Sequence, residues 1–348
     1  MIGSSQKLMG VTKGGAAKQQ FIALAHNLGT KITAWPWSAA GFGTKFADPS
    51  ILPNNRGYAV DFSPSGDAIA VAHTVTPFVT VYPWSESGFG TKFANPSTLP
   101  SGVAYDVAFS PSGDAIGVAT VSSPFVNAYP WSASGFGTKF ANPSTLPQFA
   151  ANGVAFSPSG DAIAFVHTGA PYITVYPWSA SGFGTKFSNP SSLPFSHGQK
   201  VAFSPSGDAI ALGNRGTPIF VAYPWSASGF GTKFSNPSTM PSGSFGNGVT
   251  FNPSGDVIAV THNAGSEVSA YSWSASGFGA KFTDPVTKPA GTGFAVRFNP
   301  TGDTIALAHE SSPYISAYSW SASGFGAKFS NPAAFTANVA NGIAFTEI

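Results

Sequence analysis

The chain has 348 residues and a net charge of +2, and only 9% of its residues are charged, against about 25% in an ordinary soluble domain. That balance offers neither the basic footprint of a nucleic-acid binder nor an anchor for anionic lipid, so both partners are excluded. With no Cys there is no disulfide, thiolate metal site or Cys nucleophile, and no stretch reaches the roughly 18 apolar residues of a membrane span.

Residues 1–18 hold four Gly, two Ser and three Lys with scattered apolar residues, a composition that predicts a flexible arm. They lack the continuous apolar segment of a secretory signal, so synthesis in a cytosol is expected. From residue 19 onward the chain repeats itself. A Trp-Ser pair recurs at Trp37, Trp84, Trp131, Trp178, Trp225, Trp273 and Trp320, at intervals of 47 or 48 residues, and seven such units leave no room for a second domain.

One unit predicts four short strands, A to D. YAVDFS (58–63) and AIAVAH (68–73) form a hairpin across a Pro-Ser-Gly-Asp turn; FVTVYPW (78–84) is the third strand and TKFA (91–94) the fourth, after the turn SESGFG. Meanders of this size, buried on both faces and lacking helices, stack sheet against sheet, and seven of them close into an all-β, seven-bladed β-propeller with four-stranded antiparallel blades. At the chain ends, 21–37 aligns with strands B and C whereas 342–345 aligns with strand A. One blade is therefore split, its inner strand supplied by the C-terminus as a clasp that removes the open sheet edges. Both ends should leave the ring on the face of the A–B turns.

The run FSPSGDAIAVA (62–72), repeated with small changes from Phe109, Phe156, Phe203, Phe251 and Phe298, resembles the first hairpin of the WD-repeat propeller family over residues 19–348. Where that family places Trp-Asp at the end of strand C, this sequence has Tyr82-Pro83 and then Trp84, and the Gly-His signature is absent apart from an echo at His197-Gly198. The SGFGTKF element is also similar to repeats encoded by tailed phages and marine environmental genomes. The resemblance implies the fold and is nearly silent on function.

Repeated polar residues read as structural. Asp67, Asp114, Asp161, Asp208, Asp256 and Asp303 occupy one point of the A–B turn, and Lys45, Lys92, Lys139, Lys186, Lys233, Lys281 and Lys328 sit at strand D; turn capping and surface ion pairing are expected of them. Gly-Phe-Gly-Thr-Lys lacks phosphate-loop spacing and a following helix, so Phe42, Phe46 and their counterparts should pack outer strands against the neighbouring blade. His26, His73, His167, His262 and His309 end strand B, with Thr120 and Asn214 in the other two blades, which predicts a structural bond to an adjacent loop rather than a metal site.

Variation points to the opposite face. The D–A connections differ from copy to copy and offer Asn54, Asn55, Arg56, Tyr58, Tyr105, Phe149, Phe195, His197, Phe245 and Phe294, an aromatic and amide mixture suited to sugar or protein surfaces. Strand A adds four charges expected near the central channel: Asp61, Asp106, Lys200 and Arg297. No carboxylate dyad at readable spacing, nucleophile elbow or His cluster is present, and no cofactor or metal is expected. The sequence therefore predicts a non-enzymatic binding or structural propeller. The favoured setting is a virion component, a capsid decoration or fibre-associated head, tethered by its arm to other subunits; the alternatives are a lectin-like module reading cell-surface glycans and a cytoplasmic interaction scaffold.

Overall fold

Each copy of the repeat folds into a four-stranded antiparallel sheet, and seven of these sheets form a closed ring. The computed structural model describes residues 18–333, 335 and 339–348, so the expected arm lies outside the described residues except for Lys18. We number as blade 1 the split blade, in which Ala340–Glu347 pairs with Gln20–His26, followed by Ile32–Ser38 and Gly41–Phe42. Blade 2 runs A to D as Gly57–Phe62, Ala68–His73, Val79–Ser85 and Gly88–Phe89, and blades 3 to 7 follow in chain order. The predicted propeller and its C-terminal clasp are both present. Gln19 and Ile348 exchange two backbone hydrogen bonds of 3.0 Å beside the A–B turn of blade 2, which places both ends of the described chain on the turn face.

Strand B is buried along its whole length in blades 2 to 7, and from Phe21 onward in blade 1, as its Ala/Ile/Val sequence requires when neighbours cover both faces of the sheet. The core accordingly forms as apolar layers between adjacent blades. Trp84 is the pivot of one such layer. Its indole meets Phe89 of its own outer strand edge-on at 5.0 Å, Phe62 of strand A at 5.3 Å and Phe46 of the preceding blade at 5.2 Å. Edge-to-face pairs of this kind add about 0.5–1.5 kcal/mol each beyond area burial. The two Phe per blade thus pack as expected. Tyr82 adds a polar staple, since its buried hydroxyl donates to the Ile51 carbonyl in the preceding connection at 2.6 Å.

Strand D departs from expectation: it is Gly88–Phe89 rather than 91–94. Trp84 N–H points back to the Asp67 carbonyl, so the N–H of the residue before it would face strand D, and that residue, Pro83, has none. Where Ser272 and Ser319 replace that proline, the outer strand lengthens to Gly277–Lys281 and Gly324–Lys328. The repeated Asp and Lys do not pair with each other, although two of the lysines form the expected surface ion pairs with other acids, Lys45 with Asp48 and Lys281 with Asp284. Asp67 instead accepts from Ser63 and Ser65 hydroxyls at 2.7 Å within its own turn, while each lysine reaches three residues onward, as Lys139 does to Asn142 at 2.6 Å.

The strand-B histidines are internal struts. His167 Nε2 bonds Thr174 on strand C at 3.0 Å and its Nδ1 bonds the Gly169 carbonyl in the B–C loop at 2.7 Å. Thr80, Thr33, Ser269 and Ser316 receive the other four rings, and where the histidine is Thr120 its partner becomes Asn127. Burial lowers all five imidazoles from 6.5 to about 4, so they stay neutral in the folded ring.

Candidate functional site

The innermost strand of each blade carries a β-bulge at its second residue. In blade 2 Gly57 pairs with His73 and Ala59 with Ala72, which leaves Tyr58 unpaired between them, and the same shift recurs in every blade. A bulge re-aims the extra side chain. Here the extra residues are Tyr58, Tyr105, Asn152, Gln199, Asn247, Phe294 and Asn341, one from each blade, and together they ring the channel mouth on the loop face. The cup that they enclose has a volume of about 510 Å³ and is completed by His197, Lys200 and Arg215.

The cup has distinct sides. Tyr58 and Tyr105 stack edge-to-face at 4.8 Å, and burial raises the Tyr105 phenol with Tyr58 adding to the effect. Asn152, Asn247 and Asn341 each donate Nδ2 to the first carbonyl of the next blade's inner strand, at 2.9, 2.8 and 2.8 Å, which fixes the amides in place. Gln199 has no such partner, and its Nε2 is a buried donor left unpaired. Arg215 lies over the Phe245 ring at 5.0 Å.

Of the loop residues expected to bind, Tyr58, Tyr105, His197 and Phe294 line the cup. The other six do not. Asn54 is tied to the B–C loop through the Thr76 carbonyl at 2.6 Å, and Asn55, with φ of 63°, bonds the following Arg56 amide within the exposed connection. Phe149 packs over Gly169, Phe195 is 63% exposed above Gly216, and Phe245 supports Arg215 from outside. Residue type alone selected these aromatics; the bulge register decides which side chains turn inward. Asn152, Gln199, Asn247, Asn341 and Arg215 were not expected from the sequence. The available signal is the small residue before each bulge, Gly57, Ala104, Ala151, Gly198, Gly246, Gly293 and Ala340. A Cβ at Gly57 would meet the Lys31 carbonyl at 2.5 Å, so the chain is held tightly there immediately before it bulges.

Below the mouth the four channel charges lie on two levels. Asp106 and Lys200, third in their strands, pair at 2.7 Å across the channel and separate the cup from the space beneath. Asp106 also accepts the Val154 amide at 3.0 Å, satisfying an N–H on the open inner edge of the sheet, and Lys200 donates to the Tyr105 carbonyl at 3.1 Å. Burial pushes the Lys200 ammonium down while Asp106 pulls it back up. Asp61 and Arg297 are fifth in their strands and do not pair; Asp61 accepts the Phe109 amide at 2.8 Å, and burial pushes its carboxyl up to about 7 against the opposing pull of that amide and of Arg297. Replacing Asp106 with Ala strands a buried ammonium and an amide, so we expect a loss of about 3 kcal/mol in chemical denaturation. The double variant Asp106→Ala, Lys200→Met should recover most of it.

Among the described residues no group of three His, Cys, Asp or Glu stands close enough to hold a metal ion, and no helix is long and apolar enough to cross a membrane. No family model matches the chain, and no curated protein does. Solved structures share the architecture. A candidate 6-phosphogluconolactonase from Bacteroides fragilis superposes with a TM-score of 0.77 at 11% identity, over 96% of this chain and 100% of that one. A periplasmic gluconolactonase from Pseudomonas aeruginosa gives 0.71 at 15%, over 94% and 99%, and the hydrazine synthase of Kuenenia stuttgartiensis 0.59 at 14%, over 76% of each chain. At these identities the likeness defines a class by fold alone, the seven-bladed propeller. The WD-repeat resemblance holds at that level, and these named neighbours are gluconolactonase-like propellers and a hydrazine synthase.

Proposed function

We propose that this propeller is a non-enzymatic binding protein that seats a sugar in the cup at the channel mouth. One observation carries the reading: the turns and core positions of the blades largely repeat, whereas the seven inward-turned bulge residues are two Tyr, three Asn, one Gln and one Phe. Aromatic faces take the apolar face of a pyranose, and fixed amides and unpaired donors such as Gln199 Nε2 take its hydroxyls. Because Lys18 and Ile348 leave on the opposite face, an assembly that holds the chain by its N-terminal residues would present the cup outward. A virus particle is the setting we favour, with its other subunits as the protein partner; a cytoplasmic scaffold is the alternative.

The test is a glycan array probed with the wild-type chain and with the double variant Tyr58→Ser, Tyr105→Ser. We expect wild-type binding to a defined glycan set, a loss of at least tenfold in the variant and an unchanged thermal transition, since both rings are only half-buried. Equal binding by the variant would move the site away from the mouth. A hydrolytic reading is favoured by one feature, His197 in the cup of a ring whose fold neighbours include a gluconolactonase. Sugar-lactone hydrolysis that disappears in His197→Gln would replace the binding reading.

A further inference from the structure

We infer that the sugar seated in the cup is an acid, its anionic substituent read by Arg215 and Lys200. The inference rests on the sugar reading above and adds the ligand's charge. Among the described residues that line the cup there is no carboxylate, yet two strong cations and His197 lie on its wall. Asp106, the acid that pairs with Lys200 at 2.7 Å, is also committed to the Val154 amide. An ammonium has three donors, and two of those of Lys200 are accounted for by Asp106 and the Tyr105 carbonyl, which leaves one.

Arg215 is the stronger reader. No carboxylate lies within 4.0 Å of its guanidinium among the described residues, and the group rests over the Phe245 ring at the cup wall. Solvent-exposed beside that ring, the guanidinium presents paired N–H groups that match the two oxygens of a carboxylate or the oxygens of a phosphate or sulfate. Because Lys200 Nζ lies 3.1 Å from the Tyr105 carbonyl, the geometry fits an acidic sugar lying over that ammonium, with its ring on the tyrosine pair and its anionic substituent toward Arg215.

The experiment compares matched neutral and acidic glycans, the latter bearing uronic acid, sialic acid, phosphate or sulfate, on one array, using wild type, Arg215→Gln and Arg215→Lys, each checked for an unchanged thermal transition. Acidic members should bind and lose about ten- to a hundredfold in Arg215→Gln, with partial retention in Arg215→Lys and weaker binding in high salt. The acid class retained identifies carboxylate or phosphate as the group recognised. Equal binding of neutral and acidic members, unaffected by Arg215→Gln but lost in the tyrosine double variant, would overturn the acidic assignment and leave the sugar reading standing. Binding that ignores both Arg215 and the tyrosines would overturn both.

Discussion

Deleting residues 340–348 should abolish the cooperative thermal transition of the whole ring, not only loosen one strand. The segment pairs with Gln20–His26 along its length and buries Ala340, Ile343 and Ala344 in two inter-blade layers, against Trp37 and Trp35 on one side and Val60 on the other. Its close fit is visible at Gly342, where a Cβ would lie 2.7 Å from the Ala59 Cα of blade 2. Burial of Ile343 alone accounts for about 1.5–3 kcal/mol, and the ladder and the newly exposed edge add to it, against a total stability on the order of 5–15 kcal/mol. Calorimetry of the truncated chain checks this. A transition as sharp and as high as that of the full chain would mean that the ring does not depend on its seam.

The second large effect is acid unfolding between about pH 6.5 and pH 4. The five strut imidazoles are lowered from 6.5 to about 4 by burial, so over that interval the unfolded chain binds more protons than the folded one, and stability is lost as pH falls. Each histidine accounts for a loss on the order of 2 kcal/mol by the lower end, and five together outweigh the opposite contribution of Asp61, whose raised carboxyl takes up its proton first in the folded ring. Below the ordinary 3.8 of aspartate, the serine-capped turns add to it, because hydrogen bonds hold Asp114, Asp161, Asp208 and Asp256 below that value. Blade 3 contains its own control, the non-titrating Thr120–Asn127 pair bonded at 3.0 Å. Grafting it into blade 2 as His73→Thr, Thr80→Asn should move the acid midpoint, followed by circular dichroism, to lower pH. An unchanged midpoint would show that the struts do not set it.

The ring was legible because repetition averages out local ambiguity: seven copies of Trp84's neighbourhood fix strand order, and the offset between 21–37 and 342–345 exposes the split blade. That the histidine position needs a hydrogen bond and not an imidazole was legible for the same reason, from Thr120 and Asn214, but the expected bond to a loop is made by His26 and His167 alone, and the bond common to all five goes to strand C. The length of strand D was misjudged although its cause stands in the sequence, since Pro83 has no N–H to give to the outer strand. The cup was only partly legible. A bulge is a backbone register shift marked in the sequence only by the small Gly or Ala before it, a weak signal for Asn152, Gln199 and Asn341, whereas the aromatic Phe195 and Phe149 stand out by residue type but belong to the outer rim. The pairing of Asp106 with Lys200, and not of Asp61 with Arg297, depends on the level each residue occupies along its strand, which alignment of the copies contains but composition does not.

Stoichiometry separates the central claim from its main competitor. If the individual rim of bulge residues is the binding site, calorimetric titration with the strongest glycan from the array will give one site per chain, lost together in Tyr58→Ser, Tyr105→Ser. If instead the near-identical turns and inter-blade grooves bind, the same titration will approach six or seven equivalent sites and be indifferent to those tyrosines, and the cup is then not the functional site.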